Sequence, residues 1–165
     1  MWKPLWKNKK FVIRPELCIG CRSCELACAY KHTGMVDLSS AAISVYQFKE
    51  TSVIIPMLCM QCDEPECLKA CKNQAISKCD ISGVVTIDDT RCIKCNSCMH
   101  ACLLGNIHSS ISLGSPIKCD QCGGDPQCQK FCPVGAVDLV DSDDFVTEEL
   151  PILTFKSPTS LPEAK

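Results

Sequence analysis

The N-terminal stretch MWKPLWKNKKF has no apolar run, no small-residue cleavage site and no twin-arginine pair, so the marks of an export signal are missing. Residues 95–117 carry no Asp, Glu, Lys or Arg, yet Asn96, Ser97, Asn106, Ser109, Ser110, Ser112 and Ser115 make that run too polar for a bilayer span. The expected compartment is the cytoplasm, whose reducing poise disfavours disulfides; export carried by a partner would leave no mark in this chain. An acid–base pair, a nucleophile constellation and a phosphate-binding loop are also missing, which argues against a catalytic chain. No C-x3-C-x2-C triplet is present, which excludes the usual loop for radical chemistry on adenosylmethionine.

Cysteine is in excess. The chain has 165 residues, 46% hydrophobic, but 17 of the hydrophobic residues are Cys. The remainder is a thin core for one domain or two small lobes, so something besides packing must hold the fold. Sixteen cysteines fall into four groups. Cys18, Cys21, Cys24, Cys28 and Cys92, Cys95, Cys98, Cys102 both read C-x2-C-x2-C-x3-C. Cys59, Cys62, Cys67, Cys71 read C-x2-C-x4-C-x3-C, and Cys119, Cys122, Cys128, Cys132 read C-x2-C-x5-C-x3-C. Each opens with C-x2-C and closes with x3-C, an internal repeat with its insertions confined to the second gap. Three groups continue as KNQAI, LLGNI and PVGAV, which sets Ile76, Ile107 and Val137 where a short strand is expected to begin. The first group, followed by AYKHTGM, departs from this pattern.

A 4Fe–4S cubane needs four thiolates at tetrahedrally disposed corners. A C-x2-C-x2-C loop curls around three of them; a further Cys four residues on sits over the next helical turn and points away, and in bacterial ferredoxins it ligates the other cluster. Four groups then make four 4Fe–4S clusters in two pairs of mutual exchange. Zinc with four cysteine ligands draws two C-x2-C pairs across a longer gap, a poorer match to triplets with a trailing Cys; zinc and disulfides are the alternatives.

The order of groups, from about Phe11 to Val140, resembles the polyferredoxin subunits of molybdenum and tungsten oxidoreductases such as dimethyl sulfoxide reductase and formate dehydrogenase. ELCIGCRSCELACAYKHTG, MLCMQCDEPECLKAC and IKCDQCGGDPQCQKFCPVGAV resemble more narrowly the small iron–sulfur subunits that accompany tungsten aldehyde oxidoreductases and their relatives, the tungsten benzoyl-coenzyme A reductases among them. The resemblance implies pairing of the first group with the fourth and the second with the third. The implied ligand sets are Cys18, Cys21, Cys24 with Cys132; Cys28 with Cys119, Cys122, Cys128; Cys59, Cys62, Cys67 with Cys102; and Cys71 with Cys92, Cys95, Cys98. Pairing of adjacent groups is the alternative. The implied fold is α+β and tandem ferredoxin-like: an outer lobe from 1–55 with 112–141, an inserted inner lobe over 56–111, and an acidic, proline-containing tail over 142–165. Pro follows the exchanged Cys in bacterial ferredoxins, but here only Cys132 has it, as Pro133; Ala29, Lys72 and Leu103 stand at the other places, which puts potentials rather than ligation in question.

The elements expected between the groups are short. Lys10 to Arg14 and Ala136 to Val140 read as brief strands, Ile43 to Phe48 with Val53 to Ile55 and Ile76 to Ile81 with Gly83 to Ile87 as hairpins, and SCELAC and ECLKAC as single helical turns. Arg22 and Lys94, inside cluster loops, are expected to point to solvent, with a tuning role as the alternative. His32, His100 and His108 are expected as packing or surface residues, and Cys79 as a buried free thiol. The N-terminal Trp2, Lys3, Trp6, Lys7, Lys9 and Lys10 read as a solvated basic end, with a partner or filament contact as the alternative.

The functional expectation is a non-catalytic electron-transfer subunit. It would relay single electrons between the large tungsten- or molybdenum-pterin catalytic subunit of an oxidoreductase and another carrier, such as a flavin-containing subunit or a ferredoxin. The alternative is a freestanding polyferredoxin serving enzymes such as hydrogenase or carbon monoxide dehydrogenase. The formal charge of −2 counts thiols as neutral; sixteen thiolates around four cores of charge +2 bring the loaded chain to about −10. That field favours basic partner surfaces, and neither nucleic acid nor a membrane span is expected.

Overall fold

The computed structural model describes residues 9–141. The C-terminal tail over 142–165 and the N-terminal Trp2, Lys3, Trp6 and Lys7 lie outside them. The chain is α+β, built of short helices and two-stranded antiparallel hairpins. β1 (Lys9–Ile13) pairs with β8 (Val137–Asp141), so the two ends of the cysteine array meet in one ribbon, Phe11 opposite Leu139. β2 (Ile43–Phe48) pairs with β3 (Val53–Leu58). Pro56 sits opposite Val45 in this ribbon, a position open to proline because both strands of a two-stranded sheet are edges. β4 (Ile76–Lys78) pairs with β5 (Val85–Ile87), and β6 (His108–Ser109) with β7 (Pro116–Ile117).

The third cysteine of each group lies on a helix, in α1 (Ser23–Thr33), α2 (Glu66–Lys69), α3 (Ser97–Ala101) and α4 (Gln127–Lys130), and α1 alone also carries the last cysteine of its group, Cys28. α1 packs against α4, and α2 against α3. ECLKAC is the single turn its spacing predicts, whereas SCELAC opens an 11-residue helix. Ala27, Ala29 and Tyr30 allow α1 to continue past Cys28, Lys31 and His32 sit in its negative last turn, and Gly34 closes it at φ +69°, its N–H on Tyr30 O at 2.8 Å.

Buried residues form two clusters. One gathers Phe11, Ala29, Ala41, Ile43, Val45, Leu58, Val137 and Leu139 around Cys24, Cys28, Cys59, Cys119 and Cys128. The other gathers Ile76, Val85 and Ile107 around Cys67 and Cys98. Ile76, Ile107 and Val137, five residues past the last Cys of their groups, are all buried, two of them opening a strand and Ile107 preceding one. The boundaries expected at 55/56 and 111/112 fall inside the β2–β3 and β6–β7 hairpins. The turn before β2 is tied to the β6–β7 hairpin by hydroxyls: Ser40 Oγ lies 3.0 Å from Ser110 Oγ and 2.6 Å from Ser112 Oγ, with Ser40 and Ser110 fully buried. No helix among the described residues is long and apolar enough to cross a membrane.

Candidate iron–sulfur centres

The cysteine loops share one backbone device. The residue before the second Cys is left-handed in all four groups: Gly20 (φ +70°), Gln61 (+51°), Lys94 (+59°) and Gln121 (+57°). A non-glycine residue there costs roughly 1–2 kcal/mol, and the return is an amide turned onto sulfur. Gln61 N donates to Cys59 Sγ and Gln121 N to Cys119 Sγ, each at 3.4 Å. At the first loop the residue is glycine, and a Cβ there would stand 3.1 Å from Ile54 Cδ1, tighter than ordinary contact. A second left-handed residue, Gln74, Gly105 or Gly135, follows the last Cys of three groups. After two of these, Ala75 N donates to Cys71 Sγ and Ala136 N to Cys132 Sγ, each at 3.2 Å. Ala42 N does the same for Cys28 Sγ at 3.2 Å.

Thiols from different groups meet. Cys59, Cys62 and Cys67 line one cavity of about 310 Å³ together with Cys102 and Lys118. Cys71 lines another with Cys92, Cys95 and Cys98. In the β1–β8 region burial pushes the Cys24 thiol up to about 12, reinforced by Glu25 and by the nearby Cys132 and Cys18. Burial raises Cys128 to about 12, with Cys28 and Cys122 beside it adding to the shift, and lifts Cys28 to about 11. Cys119 stands well above the ordinary thiol value, again through burial, with Cys128, Cys28 and Cys59 as neighbours. Thiols so placed keep their protons at neutral pH unless a cation takes the sulfur.

A single metal ion does not fit these groups. Four thiolates at 2.3 Å from one zinc ion stand about 3.8 Å apart. Among the described residues no three cysteine sulfurs lie within 4.8 Å of one another; the one group that compact is His32, Asp120 and Cys122. Wider sets of thiols, partly buried and met by amide N–H donors, suit a larger inorganic core.

Several side chains at these centres were not anticipated. Lys118 is buried, and its Nζ donates to Cys59 Sγ at 2.9 Å, to Val85 O at 2.8 Å and to Gln61 Oε1 at 3.2 Å. Gln61 is also buried, with Nε2 on Cys119 O at 2.6 Å and Oε1 accepting from Val85 N at 2.8 Å. Its counterpart Gln121 donates through Nε2 to Lys9 O, while its buried Oε1 has no partner. His32, expected as packing or surface, puts Nε2 3.8 Å from Cys122 Sγ and 3.5 Å from Asp120 Oδ1. Arg22 is half-exposed, 3.8 Å from Glu25, and the exposed Lys94 reaches Leu113 O at 3.4 Å. Lys10, read as part of a solvated end, is instead fixed on Gln61 O and Asp63 Oδ1.

Cys79 corrects an expectation: it is exposed. The strand stops at Lys78, and Cys79 opens the turn, its N–H on Val84 O and its carbonyl taking Gly83 N. A hydrogen bond from Ser82 lowers its thiol below the ordinary value.

The repeated loops and paired thiols define an iron–sulfur protein of ferredoxin type. The chain belongs to the 4Fe-4S dicluster domain family, which matches residues 50–144; a 4Fe-4S binding domain matches residues 15–31. It binds multiple 4Fe–4S clusters. The polyferredoxin-like subunit of aliphatic sulfonate oxidoreductase from Pyrococcus furiosus is 33% identical over 73% of this chain and 69% of the relative. An iron-sulfur protein of Rhodospirillum rubrum is 31% identical over 86% and 87%, and electron transport protein HydN of Escherichia coli is 29% identical over 81% and 89%. When bound, a 4Fe–4S cluster accepts and gives up one electron at a time. The protein's part is to hold it, shield it and set its potential.

Proposed function

We propose that the chain is an electron-transfer subunit carrying four 4Fe–4S clusters, which relays single electrons between a tungsten or molybdenum catalytic subunit of the aldehyde oxidoreductase type and another redox carrier. The observation that supports the cluster assignment is that cysteines of different groups line common cavities: Cys102 with Cys59, Cys62 and Cys67, and Cys71 with Cys92, Cys95 and Cys98. The proposed ligand sets are these two quartets together with Cys18, Cys21, Cys24, Cys132 and Cys28, Cys119, Cys122, Cys128. The two quartets around α1 and α4 then form an outer ferredoxin-like lobe, and those around α2 and α3 an inner one. Cys119 senses Cys59 electrostatically, which supports a file in which the lobes meet at those two residues. The partner assignment is supported by the resemblance of the three cysteine segments and by the subunit role named for the Pyrococcus furiosus relative.

The test is purification of the tagged chain from its native host under anaerobic conditions, with metal analysis of what accompanies it. A stoichiometric large subunit containing tungsten or molybdenum is expected. A chain recovered alone, loaded with iron and active as a donor to several enzymes, would favour a freestanding polyferredoxin.

A further inference from the structure

Lys118 is the buried cation closest to any proposed ligand. Its three N–H donors meet three acceptors, Cys59 Sγ, Gln61 Oε1 and Val85 O. A lysine ammonium has three donors and no acceptor, so this nest is complete for the charged form. The position is asymmetric in an informative way. Lys118 immediately precedes Cys119, in the outer lobe, but its charge is delivered to Cys59, in the inner one. The corresponding residue before Cys59 is Leu58, apolar and 1% exposed. Lys31, which acts on Cys122, and Lys72, which acts on Cys95, are by contrast exposed and screened by water and salt. Burial raises the thiol of Cys67, a second member of the Cys59 set, and Lys118 acts against that rise.

We propose that Lys118 is a potential-setting residue, which makes the cluster on Cys59, Cys62, Cys67 and Cys102 the most readily reduced of the four. The inference rests on the ligand sets proposed above. A fixed positive charge hydrogen-bonded to a ligand sulfur favours the state with one more electron, and low local dielectric enlarges the effect. An electron arriving from the Cys28, Cys119, Cys122, Cys128 side leaves that side oxidised by one and the Cys59 side reduced by one. No bond breaks in this step. The lysine thus biases the step between lobes, and its placement in the outer lobe ties that bias to correct docking of the two.

The test is an anaerobic redox titration of the full loaded chain followed by electron paramagnetic resonance, comparing wild type with Lys118→Met and Lys118→Arg. In Lys118→Met the equilibrium constant for reducing the highest-potential cluster is expected to fall at least tenfold, 59 mV for a one-electron couple, while the other three hold and Lys118→Arg restores it. With iron content unchanged, a titration in which no cluster moves, or all move together, overturns the proposal. Wild-type protein with zinc in place of iron overturns the underlying ligand reading as well. If Lys118→Met does not assemble, wild type labelled with 15N-lysine decides: a 15N hyperfine coupling on the first cluster reduced supports the proposal, and its absence overturns it.

Discussion

Gln61 Nε2 donates to the backbone carbonyl of Cys119 at 2.6 Å, across 58 residues of chain. The same side chain receives Val85 N and Lys118 Nζ on its Oε1, so one amide joins two cysteine loops and the β5 strand. Replacing Gln61 with Leu leaves these buried polar groups without their partner, at about 1–3 kcal/mol for each unsatisfied group. Gln61→Leu is expected to lower the guanidinium midpoint for loss of cluster absorbance, whereas Gln127→Leu, on an exposed amide, leaves it unchanged. Equal midpoints for wild type and Gln61→Leu would show that the joint lies elsewhere.

Cys132→Ser is expected to disturb the cluster held with Cys18, Cys21 and Cys24, not the one on the Cys119 loop of its own group. Cys132 influences Cys24, while Cys28 and Cys122 influence Cys128. Mössbauer and resonance spectra of the variant, read beside those of Cys28→Ser, distinguish the two clusters. Damage confined to the cluster shared by Cys119, Cys122 and Cys128 would favour ligation within each group and count against exchange.

Much of this site was legible in the sequence, because its cysteines come at short fixed spacings. The four groups, the strands that follow Cys71 and Cys132, and the β2–β3 and β4–β5 hairpins all follow from local pattern. What escaped is long-range. Lys118 reaches Cys59 across 59 residues and His32 reaches Cys122 across 90, and neither pairing leaves a periodic trace. The β6–β7 hairpin escaped for another reason: two-residue strands are too short to show alternation. At Cys79 the apolar pattern suggests a strand running through to Ile81, whereas the turn takes over at that residue.

Cys79 is therefore expected to be the one cysteine open to mild alkylation in the loaded protein. It is exposed, Ser82 holds its thiol below the ordinary value, and no proposed cluster uses it. Intact mass after iodoacetamide under argon should show a single adduct, mapped to Cys79 by peptide analysis. Cys79→Ala should abolish the adduct and leave the visible spectrum unchanged. Iron loss in Cys79→Ala would mean that the seventeenth thiol is a ligand.

Assembly should be linked to pH. Burial raises Cys24 and Cys128 to about 12 and Cys28 to about 11, from an ordinary 9.0. Because the folded values lie above the unfolded one, protonated thiols stabilise a cluster-free fold fully below pH 9, and that contribution is lost as pH rises through about 11 to 12. Ligation takes the thiolate and releases the proton, so the loaded form gains on the cluster-free fold as pH rises toward that window. Reconstitution in weak buffer near neutrality is expected to acidify the solution beyond what iron and sulfide do alone. No excess proton release would mean that the thiols are already ionised.

The most direct test of the central claim is the iron and acid-labile sulfide content of the anaerobically purified full chain. Four 4Fe–4S clusters predict about sixteen of each per chain, with no zinc. About four zinc ions, no sulfide and a colourless protein would contradict it.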